Sequence, residues 1–289
     1  MSSFDKIVDR FTGAFQHERA VQIFIKALIF YVLLKIIFLW PFTSKLVDYE
    51  SVPVYANVIG KVVFAPMLIA SYNVNLFYGI ALAFVIALLF LPSGYAGSAL
   101  LLWLVLNLYR LNHIVINGSD LVLLSLATWA VPMSARFRWQ GEKMRVLQIF
   151  IFNMAVVFCQ IHVAFIYFIS GFDKLQSPAW TSGQAFQYIA NLDTMFNPAL
   201  ADLMKNSSLN KILSWSTIIF ELAFAALIWF KPTRLFMIIL GVLFHLGISA
   251  MLYLPDFSPM MILSYLIFLK QQDYERLGLR LVKQETSWK

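Results

Sequence analysis

Eight apolar runs separated by short polar stretches decide what this chain can become. They fall at residues 20–40, 74–91, 98–117, 120–132, 147–174, 209–230, 235–254 and 259–269. The hydrocarbon core of a bilayer is about 30 Å thick and is crossed by about 20 helical residues, with every backbone N–H and C=O satisfied inside the segment. The runs therefore predict an all-α, polytopic transmembrane helix bundle of about eight spans, with residues 1–289 as a single domain. Those at 120–132 and 259–269 are short, so their helices are expected to lean on neighbours or extend into adjoining residues. With 61% of residues hydrophobic and 13% charged, no stretch is left for a separate soluble domain.

The net charge of +7 has two readings, nucleic acid or membrane orientation, and the hydropathy favours the second. With an inside start and eight crossings, fourteen of the 22 Lys and Arg fall on the inner side and six outside. Lys26 and Lys35 lie in the first span, where long side chains snorkel or face other helices. The bias predicts both termini on the cytoplasmic side and no nucleic-acid partner. In a prokaryote this means the inner (plasma) membrane, with the active face periplasmic or extracellular. The first 19 residues are polar and no small-residue cleavage signature follows, so the first span is expected to be retained. The single cysteine, Cys159, lies in an apolar run and reads as a small buried hydrophobe.

Two outer segments are long enough to carry structure, 41–73 and 175–208. The first has apolar patches around 52–71 that fit an interfacial or re-entrant helix. The second carries Trp180 and Tyr188, rings suited to the interface, and turn signals at Pro178, Gly183 and Pro198. It is read as an outer-face segment with an interfacial helix.

An ionisable side chain at membrane depth costs about 2–4 kcal/mol on insertion scales, so each needs a partner, a water-filled cavity or a function. Glu221, His245, His162 and Lys174 raise that question here. Glu221 stands about 12 residues into its span, roughly 18 Å of rise and near the midplane. Lys174 stands at the outer end of the fifth span, and helical spacing puts Gln160, Tyr167, Gly171 and Lys174 on one stripe. Gly171 lets a backbone or a ligand come close. A partly desolvated lysine there has two readings, a general base or a snorkelling cation. In the turn between the third and fourth spans, Asn117-Gly118 is a turn signal and Asp120 a helix cap, whereas Asn112 and His113 are candidates for lining a site. His245 reads either as a satisfied core histidine or as part of the same site. No paired cysteines and no His-carboxylate spacing point to a metal.

Taken together, Tyr167-Phe168, Gly171, Lys174-Leu175, Trp180, Gly183, Ala185 and Tyr188 follow the pattern YF-x2-G-x2-KL, W, G-x-A, Y. In this the chain resembles the transmembrane domain of the vitamin K-dependent gamma-carboxylase family and its bacterial relatives, the horizontally transferred transmembrane (HTTM) proteins. Asn112-His113 with Gly118 and Asp120, and Phe244-His245 followed by Phe257-Ser258 and Met260-Met261, extend the likeness over roughly residues 103–269. The resemblance implies that Lys174 is the base that deprotonates a reduced naphthoquinone of vitamin K type. It implies catalytic partners in His113 and His245, and a quinone-binding surface including Asn112, Tyr167, Gly171, Trp180, Tyr188 and Glu221. The large lumenal region of the carboxylases has no counterpart in the roughly 20 residues after the last span, and Asp173 replaces a second lysine of the vertebrate enzymes. Carboxylation of a peptide is accordingly not expected.

Three functions stay open at this stage. One is a quinone-dependent, carboxylase-like membrane oxidoreductase using Lys174. Another is a non-catalytic membrane subunit that binds a lipid, a peptide or a membrane-protein partner in a maturation or secretion assembly, with 175–208 as contact surface. The third, a proton or transport pathway through Glu221, His162 and His245, calls for a continuous polar route across the bilayer, and the lack of an inverted repeat in the sequence weighs against it.

Overall fold

The structure is a computed structural model, and it describes residues 8, 11–43, 58–91, 94–134, 141–192, 195–270 and 273. Among these residues the chain is helical throughout, apart from turns and one isolated antiparallel bridge between Phe196 and Leu252. Helix α1 spans Glu18–Leu39, and two short helices, α2 (Val58–Val63) and α3 (Pro66–Tyr72), lead into α4 (Val74–Phe90). There follow α5 (Tyr95–Leu111), α6 (Gly118–Met133) and the 35-residue α7 (Glu142–Gln176). Three short helices, α8 (Pro178–Thr181), α9 (Ala185–Ala190) and α10 (Pro198–Ala201), precede α11 (Ser207–Leu227), α12 (Lys231–Met251) and α13 (Phe257–Ser264).

Four helical stretches are long and apolar enough to cross a membrane: Glu18–Phe42, Glu142–Gln176, Ser207–Leu227 and Lys231–Met251. The shorter apolar helices Val74–Phe90, Tyr95–Leu111, Gly118–Met133 and Phe257–Phe268 pack among them. The protein is thus an all-helical, membrane-type bundle. Short helices α2 and α3 lie where the sequence suggested an interfacial or re-entrant piece, while residues 44–57, like nine of the first ten residues and nearly all of those after 270, lie outside the described residues.

Local chemistry explains where the helices begin. Asn73, Asn117, Asn197 and Asn206 each accept a backbone N–H at a helix start, and Pro66, Pro178 and Pro198 occupy first turns where no N–H partner is needed. At α6 the cap is reciprocal: Asn117, read from the sequence as part of a turn, is the N-cap, and Asp120, read as the cap, reaches back to the N–H of Asn117 at 3.1 Å. At the opposite end of α4, Lys26 of α1 donates to the carbonyls of Leu88, Leu89 and Leu91. A cation thereby satisfies orphan acceptors at a helix C-terminus.

Successive long helices run antiparallel. Lys26 meets the end of α4 and Trp40 its start, Ser98 meets Ser134, Glu221 meets Lys174, and Gly241 meets Tyr265. Lys35, Asn112, Asp120, Lys174 and Asp256 consequently point toward one end of the bundle. The other end is tied by Asn153, which donates to Phe11 and Ala14, and by a buried ion pair of Arg234 with Asp273 at 3.0 Å. Cys159 is buried, consistent with its reading as a small hydrophobe.

Candidate functional site

The predicted stripe on α7 exists, and it meets α11 and α12. Gln160, Tyr167 and Gly171 are buried, and Lys174 is half-buried. Gly171 serves helix packing: a Cβ there would stand 3.0 Å from Leu222 and 3.1 Å from Glu221. The space beside this glycine is therefore filled by α11, which brings Glu221 onto Lys174. The Lys174 ammonium lies 2.9 Å from each carboxylate oxygen of Glu221 and 2.6 Å from Ser170 Oγ, which itself donates to Glu221 at 3.0 Å. The two side chains retain only 19% and 7% of their exposure, and the Trp180 ring covers the ammonium at 5.0 Å. This is a buried, hydrogen-bonded pair with an aromatic face on the cation.

Its geometry revises the depths read from the sequence. Glu221 was placed near midplane and Lys174 at the outer end of its span, yet they touch. The reason is that the first turns of α11 run beside the short helices that follow α7. Trp215 donates to the carbonyl of Thr181, and Gly183, at φ +85°, lies so close to Lys211 that a Cβ would meet its Cα at 2.7 Å. Only glycine combines that left-handed backbone with that approach. Glu221, 14 residues after Ser207 and roughly 21 Å along the helix, therefore sits at the level of Lys174 beneath this cap.

Two turns below Lys174 on the same helix, Tyr167 joins a second cluster. Its hydroxyl is 2.6 Å from His245 Nε2 and 2.5 Å from the Tyr265 hydroxyl, and all three residues are buried. His245 Nδ1 is buried with no hydrogen-bond partner among the described residues. Phe224 packs on Tyr167 at 4.2 Å and Phe257 on His245 at 5.8 Å between ring centres. Tyr265 was not foreseen as a site residue; its place opposite Gly241 depends on helix crossing rather than on local sequence.

Asn112 and His113 follow a different course. Helix α5 ends at Leu111 and a 3-10 turn covers His113–Val115, so neither residue stands within a continuous span. Asn112 is buried, accepting from Tyr78 at 2.8 Å and donating to Leu108 at 2.9 Å, while His113 is exposed. Tyr188 is also exposed and donates to Gln184, and His162 is half-buried on α7.

A third polar group was missed by the sequence reading. Lys35 reaches Asp120 at 2.7 Å and Asp256 at 2.9 Å, beneath a cavity of about 500 Å³ lined also by Phe38, Asn112, Asn117 and Pro259. Lys174, His113 and His245 do not line this cavity. The sequence signal was a lysine within the first apolar run, but its two acidic partners are about 85 and 221 residues away.

No group of three or more His, Cys, Asp or Glu able to hold a metal occurs among the described residues. No curated protein and no solved structure matches the chain significantly. The HTTM domain, by contrast, matches residues 45–272, from just after α1 through α13, and on that extent the chain belongs to the HTTM domain family.

Proposed function

We propose that this HTTM-family protein is a carboxylase-like membrane oxidoreductase that removes a proton from a reduced quinone, with Lys174 and Glu221 acting together as the acceptor. Eight crossings, cytoplasmic termini and an active site nearer the opposite face belong to the same reading. The supporting observation is the buried Lys174–Glu221 pair, closed by Ser170 and Trp180. The residues present suit the polar and aromatic sides of the task, since Trp180 offers a flat apolar surface beside a proton acceptor. The gap at Gly171 offers no room for a ring, because Leu222 and Glu221 occupy it. A reduced naphthoquinone would supply the acidic hydroxyl and the electrons, and dioxygen would be the oxidant that accepts them.

The pair can take a proton by two routes that end alike. As an ion pair, the carboxylate of Glu221 accepts it. As a neutral amine and acid, tautomers of the same composition, Lys174 accepts it. Either way the pair ends as an ammonium beside a neutral acid, a gain of one positive charge in a site shielded from water. That charge favours a neighbouring anion far more strongly than it would in bulk solvent. Ser170, bonded to both members, orients the pair. Tyr167 and His245 stand behind it, bonded to each other at 2.6 Å.

The decisive experiment is quinone turnover by the purified protein in lipid, for wild type, Lys174→Ala and Glu221→Gln. Loss of turnover in both variants, with wild-type oligomeric profile and helicity, supports the pair as acceptor; wild-type rates in Lys174→Ala refute it. A second reading, a non-catalytic partner-binding subunit, is favoured by one observation: the segment after α7 exposes Tyr188, Leu192, Met195 and Leu203. Absence of turnover together with a stoichiometric co-purifying membrane protein supports that reading.

A further inference from the structure

The 500 Å³ cavity at the end of α1 is separate from the Lys174 site and from His245, and its volume lies within the roughly 300–1,000 Å³ of small-molecule sites. Its polar floor is Lys35, Asp120 and Asp256, with Asn117 and Ser119 holding the carboxylates. The hydrogen bonds there are distributed unevenly. Lys35 has spent its three N–H donors, on Asp120 at 2.7 Å, Asp256 at 2.9 Å and Ser119 at 3.5 Å. The carboxylates have not spent their acceptors. Among the described residues Asp256 Oδ1 receives only Asn117 at 3.0 Å, and Asp120 Oδ1 receives only Lys35, whereas each carboxylate oxygen takes about two donors. One lysine against two aspartates also leaves a formal charge of −1.

The walls are apolar. Leu34, Phe38 and Phe42 line the cavity and are also exposed, so the rim they form opens on the apolar outer surface of the bundle. Pro255 and Pro259 complete the apolar lining. An ion cluster of this kind is costly to bury and is a weak device for stability. A cavity that offers spare acceptors and a net negative charge under a greasy, outward-facing rim is complementary to a donor-rich cation on an apolar body.

We infer that this cavity binds an amphiphile with a primary ammonium head, admitted sideways from the membrane. The ammonium donates to Asp120 and Asp256, and the apolar body lies against Leu34, Phe38 and Phe42. An anionic head would face the like charge of the carboxylates, and a neutral one would leave that charge uncompensated. The inference does not rest on the quinone reading, and quinone turnover can fail without touching it. Two sources carry this chemistry, an aminophospholipid and a free long-chain amine.

The test uses the full chain in a maltoside detergent, with dodecylamine and dodecanoic acid as matched probes and adducts counted by native mass spectrometry. Dodecylamine is expected to bind at least roughly tenfold more tightly than the acid, and Asp256→Asn to weaken it by a similar factor. Leu34→Trp fills the cavity from its rim without touching an ion pair and is expected to abolish amine binding, which keeps the test decisive if Asp256→Asn fails to fold. Equal binding of the two probes, or unchanged amine binding in Leu34→Trp, overturns the inference. In nanodiscs, competition by phosphatidylethanolamine but not phosphatidylcholine assigns the head to an aminophospholipid. Dodecylamine binding that both lipids leave intact assigns it to a free amine.

Discussion

Two glycines six residues apart on α12 should respond oppositely to the same substitution. A Cβ on Gly241 would stand 2.5 Å from the Tyr265 hydroxyl, 2.7 Å from Cζ and 2.9 Å from Cε2, distances that real contacts do not reach. Tyr265 cannot yield cheaply. It is buried, its ring packs on Phe224 at 5.2 Å, and its hydroxyl is held by Tyr167, which also holds His245. Gly241→Ala therefore overpacks a helix crossing, at about 1–3 kcal/mol, and parts buried hydroxyls, at about 1–3 kcal/mol more. Better helix propensity returns about 1 kcal/mol, for a net loss of about 1–5 kcal/mol. Gly247 lies in the same helix with nothing within 4 Å of its would-be Cβ, so Gly247→Ala keeps only the propensity gain, up to about 1 kcal/mol. Thermal and denaturant unfolding of both variants in one detergent measures the contrast. The reasoning fails if Gly241→Ala is as stable as Gly247→Ala.

The Arg234–Asp273 pair, with side chains 3% and 1% exposed, should behave as a buried ion pair does. Asp273→Leu alone strands the guanidinium and is expected to cost about 3–5 kcal/mol, while Arg234→Met with Asp273→Leu recovers most of it; a double-mutant cycle by denaturant unfolding reads the difference. Asp256, in the loop before α13, gives an acid-side prediction. Burial would raise its carboxyl pKa, but Lys35 and the hydrogen bonds from Ser119 and Asn117 outweigh that and hold it below the usual value. Because the folded group has the lower pKa, its stabilisation is present above the unfolded carboxylate value of about 3.9 and is lost as pH falls through the folded value. Asp256→Asn should thus lose stability at pH 6 and show a shallower decline than wild type below about pH 4, measured by unfolding across that range.

The helices were legible in the sequence because membrane insertion writes them in hydropathy, which depends only on neighbours along the chain. Caps were legible too, since Asn117 and Asp120 act on backbone groups within three residues. Depth was not. Counting residues from the apparent start of a span put Glu221 and Lys174 at different levels, because apolar residues such as Leu209, Ile212 and Leu213 lie in α11 beside a cap of short helices. The length of a hydrophobic run does not say which of its turns face lipid. Lys35 was noted as a cation in a span, but its partners come from two other helix ends, and pairing over such separations is a property of the bundle. The stripe on α7 was read from a 3.6-residue period, while its glycine turned out to admit a leucine and a glutamate of α11 rather than a ligand.

The three polar clusters form a connected row, and the connections are aromatic. Lys35 is bonded to Asp256, whose neighbour Phe257 packs both on His245 and on the open face of Gly118, where a Cβ would meet the ring at 3.1 Å. His245 is bonded to Tyr167, and Tyr167 shares a face of α7 with Lys174. A shift of Asp256, such as a ligand head in the cavity would impose, moves Phe257 against two rigid neighbours, a ring and a helix start. Interiors packed in this way move between discrete arrangements rather than deform smoothly. Phe257→Ala keeps every charged group and removes only the ring between the first cluster and the second. If the row couples the clusters, dodecylamine should alter the His245 ring resonances in wild type and leave them unmoved in Phe257→Ala; identical responses in the two proteins would show that the clusters, though adjacent, act independently.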